Sequence, residues 1–193
     1  METSIVGDYH NVRFVKRING KWFCVLNNFV PDFEEAFIVS DNLVDWETTN
    51  IDANTYYIIP DIVYINGVYC LYTYMNDYDD DNPEEDEEEE GSDLSYAVMY
   101  SNDGINWYAS NLNNLSDVSS LVANDGVICC IYSTGDGKKI AYSLDGINWN
   151  SITNESIRGE VIHYACYENG ILHVVYGMGE IKCEHINVSI STV

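Results

Sequence analysis

Tyr100-Ser101-Asn102-Asp103-Gly104-Ile105-Asn106-Trp107 returns almost verbatim as Tyr142-Ser143-Leu144-Asp145-Gly146-Ile147-Asn148-Trp149. A degenerate third copy, Val39-Ser40-Asp41-Asn42-Leu43-Val44-Asp45-Trp46, keeps Ser40 and Trp46 at the same separation. A phrase recurring at intervals of roughly 40–60 residues marks one structural unit used several times. Within it, an apolar strand end (Ala97 and Met99; Ile140 and Tyr142) runs into Asp-Gly, where glycine takes positive φ without steric cost. Ser101 with Asp103, and Ser143 with Asp145, are placed to bond backbone N–H groups across the turn. Trp107 and Trp149 then open the return strand and fold a large apolar face over the hairpin.

A second signal precedes each phrase. Asn19-Gly20, Asn66-Gly67, Asp125-Gly126 and Asn169-Gly170 each open a β-rich run: 21–26, 68–74, 127–132 and 171–176. Another run comes before each turn: 11–17, 56–64, 118–122 and 161–167. The unit is therefore strand, Asn-Gly or Asp-Gly turn, strand, connection, strand, Ser-x-Asp-Gly turn, Trp-led strand. That is a four-stranded antiparallel meander, and the chain holds four. The fourth stops after 181–189 without an outer strand, and Met1–Val6 has the character to supply it. These features predict an all-β chain, one domain over 1–193, folded as a small β-propeller of about four blades closed by its N-terminal strand. The alternatives are five blades or an open blade array.

The repeated phrase resembles the Asp-box (BNR-type) repeat of sialidase-like β-propellers, Ser-x-Asp-x-Gly-x-Thr-Trp. Here glycine follows aspartate directly, and Asn106 and Asn148 replace threonine. The resemblance implies a structural role at the periphery for Ser101, Asp103, Gly104, Trp107, Ser143, Asp145, Gly146 and Trp149, and for Ser40 and Trp46. It also implies the kind of repeat found in bacteriophage head, tail or baseplate proteins. Sialidases of this fold hold a carboxylate with three arginines beside an Asp acid/base and a Tyr–Glu pair. Arg13, Arg17 and Arg158 are present, but Arg13 and Arg17 flank one strand and no Arg-Ile-Pro signature precedes the first unit, which argues against sialidase activity.

The six cysteines read as reduced thiols. Cys24, Cys70, Cys129 and Cys130 fall three or four residues after their own turn glycine, an inner-strand slot suited to small buried hydrophobes. No CxxC spacing is present. No apolar stretch reaches membrane-spanning length, and Met1-Glu2-Thr3-Ser4 lacks a basic start and apolar block. The expected protein is cytoplasmic when made and virion-associated later, with no membrane insertion.

Twelve carboxylates crowd residues 76–93, half of the formal charge of −24. Like charges at that density repel and resist burial, so 76–94 reads as an acidic, disordered insertion. Asp79, Asp80, Asp81, Glu84, Glu85, Asp86, Glu87, Glu88, Glu89 and Glu90 are its candidate partner-binding residues, suited to a basic protein. Calcium is disfavoured because no Asp-x-Asp-x-Asp-Gly loop with a closing Glu is present. The remainder is also acidic, which excludes direct nucleic-acid binding.

Glycosidases need two carboxylates facing across a cleft. Asp61, beside Pro60, and Glu160 are the acids placed near the ring interior. His163, His173 and His185 lie on successive strands of the last unit and form a weak candidate metal cluster. The sixteen tyrosines fill a β core, with carbohydrate stacking as the alternative use. The overall expectation is a non-enzymatic binding or structural propeller of a phage or prophage virion, without cofactors, contacting other virion proteins or a receptor. The alternatives are a carbohydrate-recognition module, an inhibitor of a basic host factor acting through the acidic loop, and a glycosidase-like enzyme.

Overall fold

The computed structural model describes residues 11–28, 34–53, 56–58, 61–75, 95–152, 154–157 and 159–188. The first sheet runs β1 (Asn11–Ile18), β2 (Lys21–Asn28), β3 (Glu34–Ser40) and β4 (Glu47–Thr48), paired in chain order. In the second, β5 (Tyr56–Ile58) and β6 (Val63–Ile65) both pair with β7 (Val68–Met75), followed by β8 (Tyr96–Ser101) and β9 (Tyr108–Ala109). The third is β10 (Asp117–Asn124), β11 (Val127–Thr134), β12 (Gly137–Ser143) and β13 (Asn150–Ile152). The fourth holds β14 (Ile162–Glu168), β15 (Ile171–Tyr176) and β16 (Lys182–Asn187). Every pairing among these strands is antiparallel. The chain is all-β, a succession of meanders, as the repeat predicts.

The turn between the first long strands has one geometry throughout. Asn19, Asn66, Asp125 and Asn169 take φ of 47 to 53°, and the glycine after each takes 79 to 92°. Two consecutive positive φ values make the type I′ turn, whose twist matches the flanking strands. One predicted strand, 56–64, is divided: Ile58 ends β5 and Val63 starts β6.

The sheets stack face to face, because each second strand is apolar on both sides. Along β11, Val127, Cys129 and Ile131 pack against the fourth sheet, while Ile128, Cys130 and Tyr132 pack against the second. Burial on both faces explains a continuous apolar run where a one-sided sheet would alternate. Between sheets one and two the core is aromatic. Phe23 stacks on Phe37 with centroids 5.9 Å apart and meets Tyr69 and Trp107 edge-on at 5.2 and 6.2 Å. At the other end of each meander β10 lies beside both β6 and β14, so the sheets converge on their first strands like the blades of a propeller.

The cysteines correct one expectation. Cys24, Cys70, Cys129 and Cys130 sit on the second strands β2, β7 and β11, not on the innermost ones. Strand alternation divides them: Cys130 faces the second sheet with Cys70, and Cys129 faces the fourth. Burial pushes the Cys24 thiol up to about 11 and those of Cys70 and Cys129 up to about 12, so all three stay protonated at neutral pH. All six cysteines are free thiols. The Met1–Val6 closing strand and the acidic segment 76–94, including Asp79 to Glu90, lie outside the described residues.

Candidate functional site

The Ser-x-Asp-Gly turns are self-contained hydrogen-bonded knots. Gly104 N donates to Ser101 Oγ at 2.8 Å, and Ile105 N and Asn106 N both donate to Asp103 Oδ1 at 2.8 Å. The Asn106 side-chain amide donates to the remaining oxygen, Asp103 Oδ2, at 2.8 Å. Ser143, Asp145, Gly146, Ile147 and Asn148 repeat the pattern. In the first sheet two residue types change places. Asn42 Oδ1 accepts from Val44 N and Asp45 N, while Asn42 Nδ2 donates to Asp45 Oδ2. Leu43 stands where the other turns have glycine, at φ 65°.

Each knot also reaches the preceding sheet. Trp107 and Trp149 donate their indole N–H to the carbonyls of Gly104 and Gly146. Their backbone N–H groups donate to Asn50 Oδ1 and Asn111 Oδ1, residues that follow the outer strand of the sheet before. A side chain on Gly146 would run into Cys70 Sγ and Val68; one on Gly104 would meet Phe23. Asn50 and Asn111 escape a search for the phrase itself, yet the sequence carries them: each lies four residues after a repeat tryptophan (Trp46, Trp107). Within each turn the Ser and Asp side chains bond the backbone of their own loop, and the tryptophan N–H groups bond the sheet before.

Chemistry has more room at the converging first strands. Each intact one carries a β-bulge at the same place, between Val12 and Phe14, Val118 and Ser120, and Ile162 and Tyr164. The extra residues are Arg13, Ser119 and His163, each seven before its turn glycine. In the second sheet the first strand is interrupted at the corresponding point, between Ile58 and Val63. Bulges re-aim side chains and gather beside functional sites.

Arg13 is occupied. Its Nη1 donates to both carboxylate oxygens of Glu35, at 2.8 and 2.9 Å, and Nη2 donates to the Ile58 carbonyl. Its guanidinium lies 3.8 Å from the centre of the Tyr57 ring. Burial pushes the Glu35 carboxyl up, and Arg13 opposes that shift. Arg17 packs over Trp22 instead, and Arg158 lies outside the described residues. Among the described residues no arginine trio assembles.

A recess of about 510 Å³ opens between β10 and the start of β14, lined by Asp117, Ser119, Ser133, Lys138 and Glu160, with Val161 and Ile162 as its apolar wall. Lys138 Nζ donates to Ser119 Oγ at 2.8 Å, Ser133 Oγ at 3.1 Å and Asp117 Oδ2 at 3.4 Å. Glu160 Oε1 accepts from Lys182 Nζ at 3.5 Å. Asp61 is exposed just ahead of β6. It lies close enough to Tyr72 that, with burial first and Asp117 also contributing, the phenol is held well above its usual range. Asp117 opens β10 and Glu160 stands just before β14, while Asp61 lies between β5 and β6. Asp117 is the one that sequence reading missed. Its signal is the repeat frame: nine residues before Gly126, as Glu160 is ten before Gly170.

The histidines divide. His163 Nε2 lies 2.8 Å from the Gly177 carbonyl, whereas His173 and His185 face each other with Nδ1 atoms 2.7 Å apart. The three-histidine cluster does not form.

No protein-family model and no curated protein matches this sequence. Solved structures do. The chain is similar to a putative glycosidase from Bacteroides thetaiotaomicron, at 12% identity and TM-score 0.43, covering 88% of this chain and 61% of that one. It is similar to Zg3597, a family 117 glycoside hydrolase from Zobellia galactanivorans, at 13% and 0.45, covering 93% and 69%. It is similar to the arabinanase Arb43A of Bacillus subtilis, at 16% and 0.39, covering 84% and 63%. The chain spans less than two thirds of the Bacteroides and Bacillus proteins, and identities this low speak to the fold alone. Two expectations are corrected here: the similar structures are titled a putative glycosidase, a glycoside hydrolase and an arabinanase, so the readings as a non-enzymatic phage virion component and as not an enzyme are not kept.

Proposed function

We propose that the chain is a glycosidase-like β-propeller protein acting in the recess at the converging first strands. One observation carries this reading: Asp117, on β10, and Glu160, just ahead of β14, line one open recess of about 510 Å³. Glycoside cleavage needs a general acid at the leaving oxygen and a second carboxylate acting as nucleophile or base. Asp117 is the anchored member, tied through Lys138 to Ser119 and Ser133, and takes the carboxylate role. Glu160, paired with the half-exposed Lys182 at 3.5 Å, is assigned the acid role at the leaving oxygen. The finer architecture belongs to the same proposal: four blades carrying Asp-box-like turns, with Met1–Val6 supplying the outer strand of the last.

The test is a panel of aryl glycosides and oligosaccharides, with and without inorganic phosphate, with products read by mass spectrometry. Turnover of at least one glycoside is expected, falling about 10²-fold or more in Asp117→Asn and Glu160→Gln, the scale of a lost acid or base. The folded state of both variants is checked by circular dichroism. No turnover by the wild-type chain, or variants as active as wild type, overturns the assignment.

A further inference from the structure

The outward face of the fourth sheet carries a row of donor side chains that the recess does not use. Cys166 on β14 pairs in register with His173 on β15, which pairs with His185 on β16, so the three project from one face. Cys183, two residues before His185, shares that face and is exposed. The opposite face, with Ala165, Leu172, Val174 and Ile186, is the one buried against the third sheet. The two imidazoles meet at 2.7 Å through Nδ1, with ring centroids 4.8 Å apart. Two imidazole nitrogens on one tetrahedral zinc ion stand roughly 3.3 Å apart, given Zn–N bonds near 2.0–2.1 Å. A small side-chain rotation therefore opens this pair to a shared ion. Among the described residues no three donors already surround one point, so the pair is a two-point chelate whose remaining positions fall to water or to a neighbouring thiol.

We propose that His173 and His185 chelate a borderline divalent transition-metal ion such as Zn²⁺, fastening β16 to β15. Nitrogen donors beside thiols favour such an ion over Ca²⁺ or Mg²⁺, which take oxygen. The fastening has a structural use. β16 pairs with β15 along Ile171 to Tyr176, and a metal bridging the two strands raises the free energy of separating them.

Tag-free full-length protein is titrated with Zn²⁺ in a non-coordinating buffer by calorimetry, with thermal unfolding in parallel. Saturable one-to-one binding and a raised melting temperature are expected, with no effect of Ca²⁺ or Mg²⁺. His173→Ala and His185→Ala should each weaken binding at least tenfold. His163→Ala, bonded to the Gly177 carbonyl and outside the pair, should leave it unchanged. Absence of saturable binding at micromolar Zn²⁺, affinity retained in both pair variants, or equal loss in His163→Ala overturns the proposal. None of these results bears on the recess, because His173 and His185 do not line it.

Discussion

Asp145 shows how much one carboxylate contributes to a repeat turn. Burial alone would raise it, but hydrogen bonds from the Asn148 backbone and side-chain amides, the Ile147 N–H and the Ser143 hydroxyl hold it down to about 2. The same donors in the sister turn, again against burial, hold Asp103 well below the usual carboxylate range. An aspartate in the unfolded chain titrates near 3.9. The folded value is depressed, so the stabilisation is complete above about pH 4 and is lost as pH falls toward about 2. Urea midpoints measured from pH 5 to pH 2 should therefore drop more steeply in wild type than in Asp145→Asn. The Asn42–Asp45 pair argues for a rescue: the double variant Asp145→Asn with Asn148→Asp re-creates its geometry and should recover most of the stability lost by the single change. Leu43 offers the converse test. It is exposed and pays the left-handed backbone cost that glycine avoids. Leu43→Gly should raise stability by up to about 1 kcal/mol, read from chemical denaturation.

At the scale of elements, the join between sheets is partly polar. Asn50 accepts from the Trp107 N–H at 2.6 Å and donates to the Trp107 carbonyl at 3.0 Å, with a backbone bond from Asn50 N to the Ile105 carbonyl beside them. Asn50→Ala leaves that backbone N–H without its partner and should cost about 1–3 kcal/mol in unfolding free energy. Trp149 is nearly buried and packs in the core between sheets two and three. Trp149→Ala should cost about 3–5 kcal/mol, the range for a large buried aromatic. If the tryptophans merely decorated their hairpins, both substitutions would fall within about 0.5 kcal/mol, as ordinary surface changes do.

The whole molecule carries a formal charge of −24 against eight lysines and arginines. Self-repulsion at that level opposes the compact state and is screened over about 10 Å at 0.1 M salt. The melting temperature should rise between 10 and 150 mM sodium chloride. Replacing 77–93 with a short Gly/Ser linker should flatten that rise by removing half the excess charge. An unchanged salt dependence in the replaced protein would place the repulsion elsewhere on the surface. The cations that remain are largely engaged: Arg13 with Glu35, Lys138 with Asp117, Lys182 with Glu160. Two of those lysines pair with the two proposed carboxylates, Lys138 from within the recess.

Local chemistry alone determined much of this protein. Asn-Gly and Asp-Gly pairs dictate type I′ turns because few other residues accept two positive φ values in succession. A serine and an aspartate at fixed spacing close a turn with their own oxygens. Those rules act within a few residues, so the all-β class and the succession of antiparallel meanders were legible from the repeat. What the repeat did not carry depends on how sheets meet. Asp117 became a site candidate only when β10 came to lie beside β14, which placed it in one recess with Glu160. Arg13 is engaged by Glu35, which lies 22 residues away and reaches it across the first sheet. His163 parted from His173 and His185 because Cys166 is the β14 residue that faces His173, and alternation along the strand turns residue 163, three positions earlier, away from that face toward the Gly177 carbonyl. Each of these turns on a separation of a few ångströms between residues distant along the chain, which tertiary packing sets and turn chemistry does not.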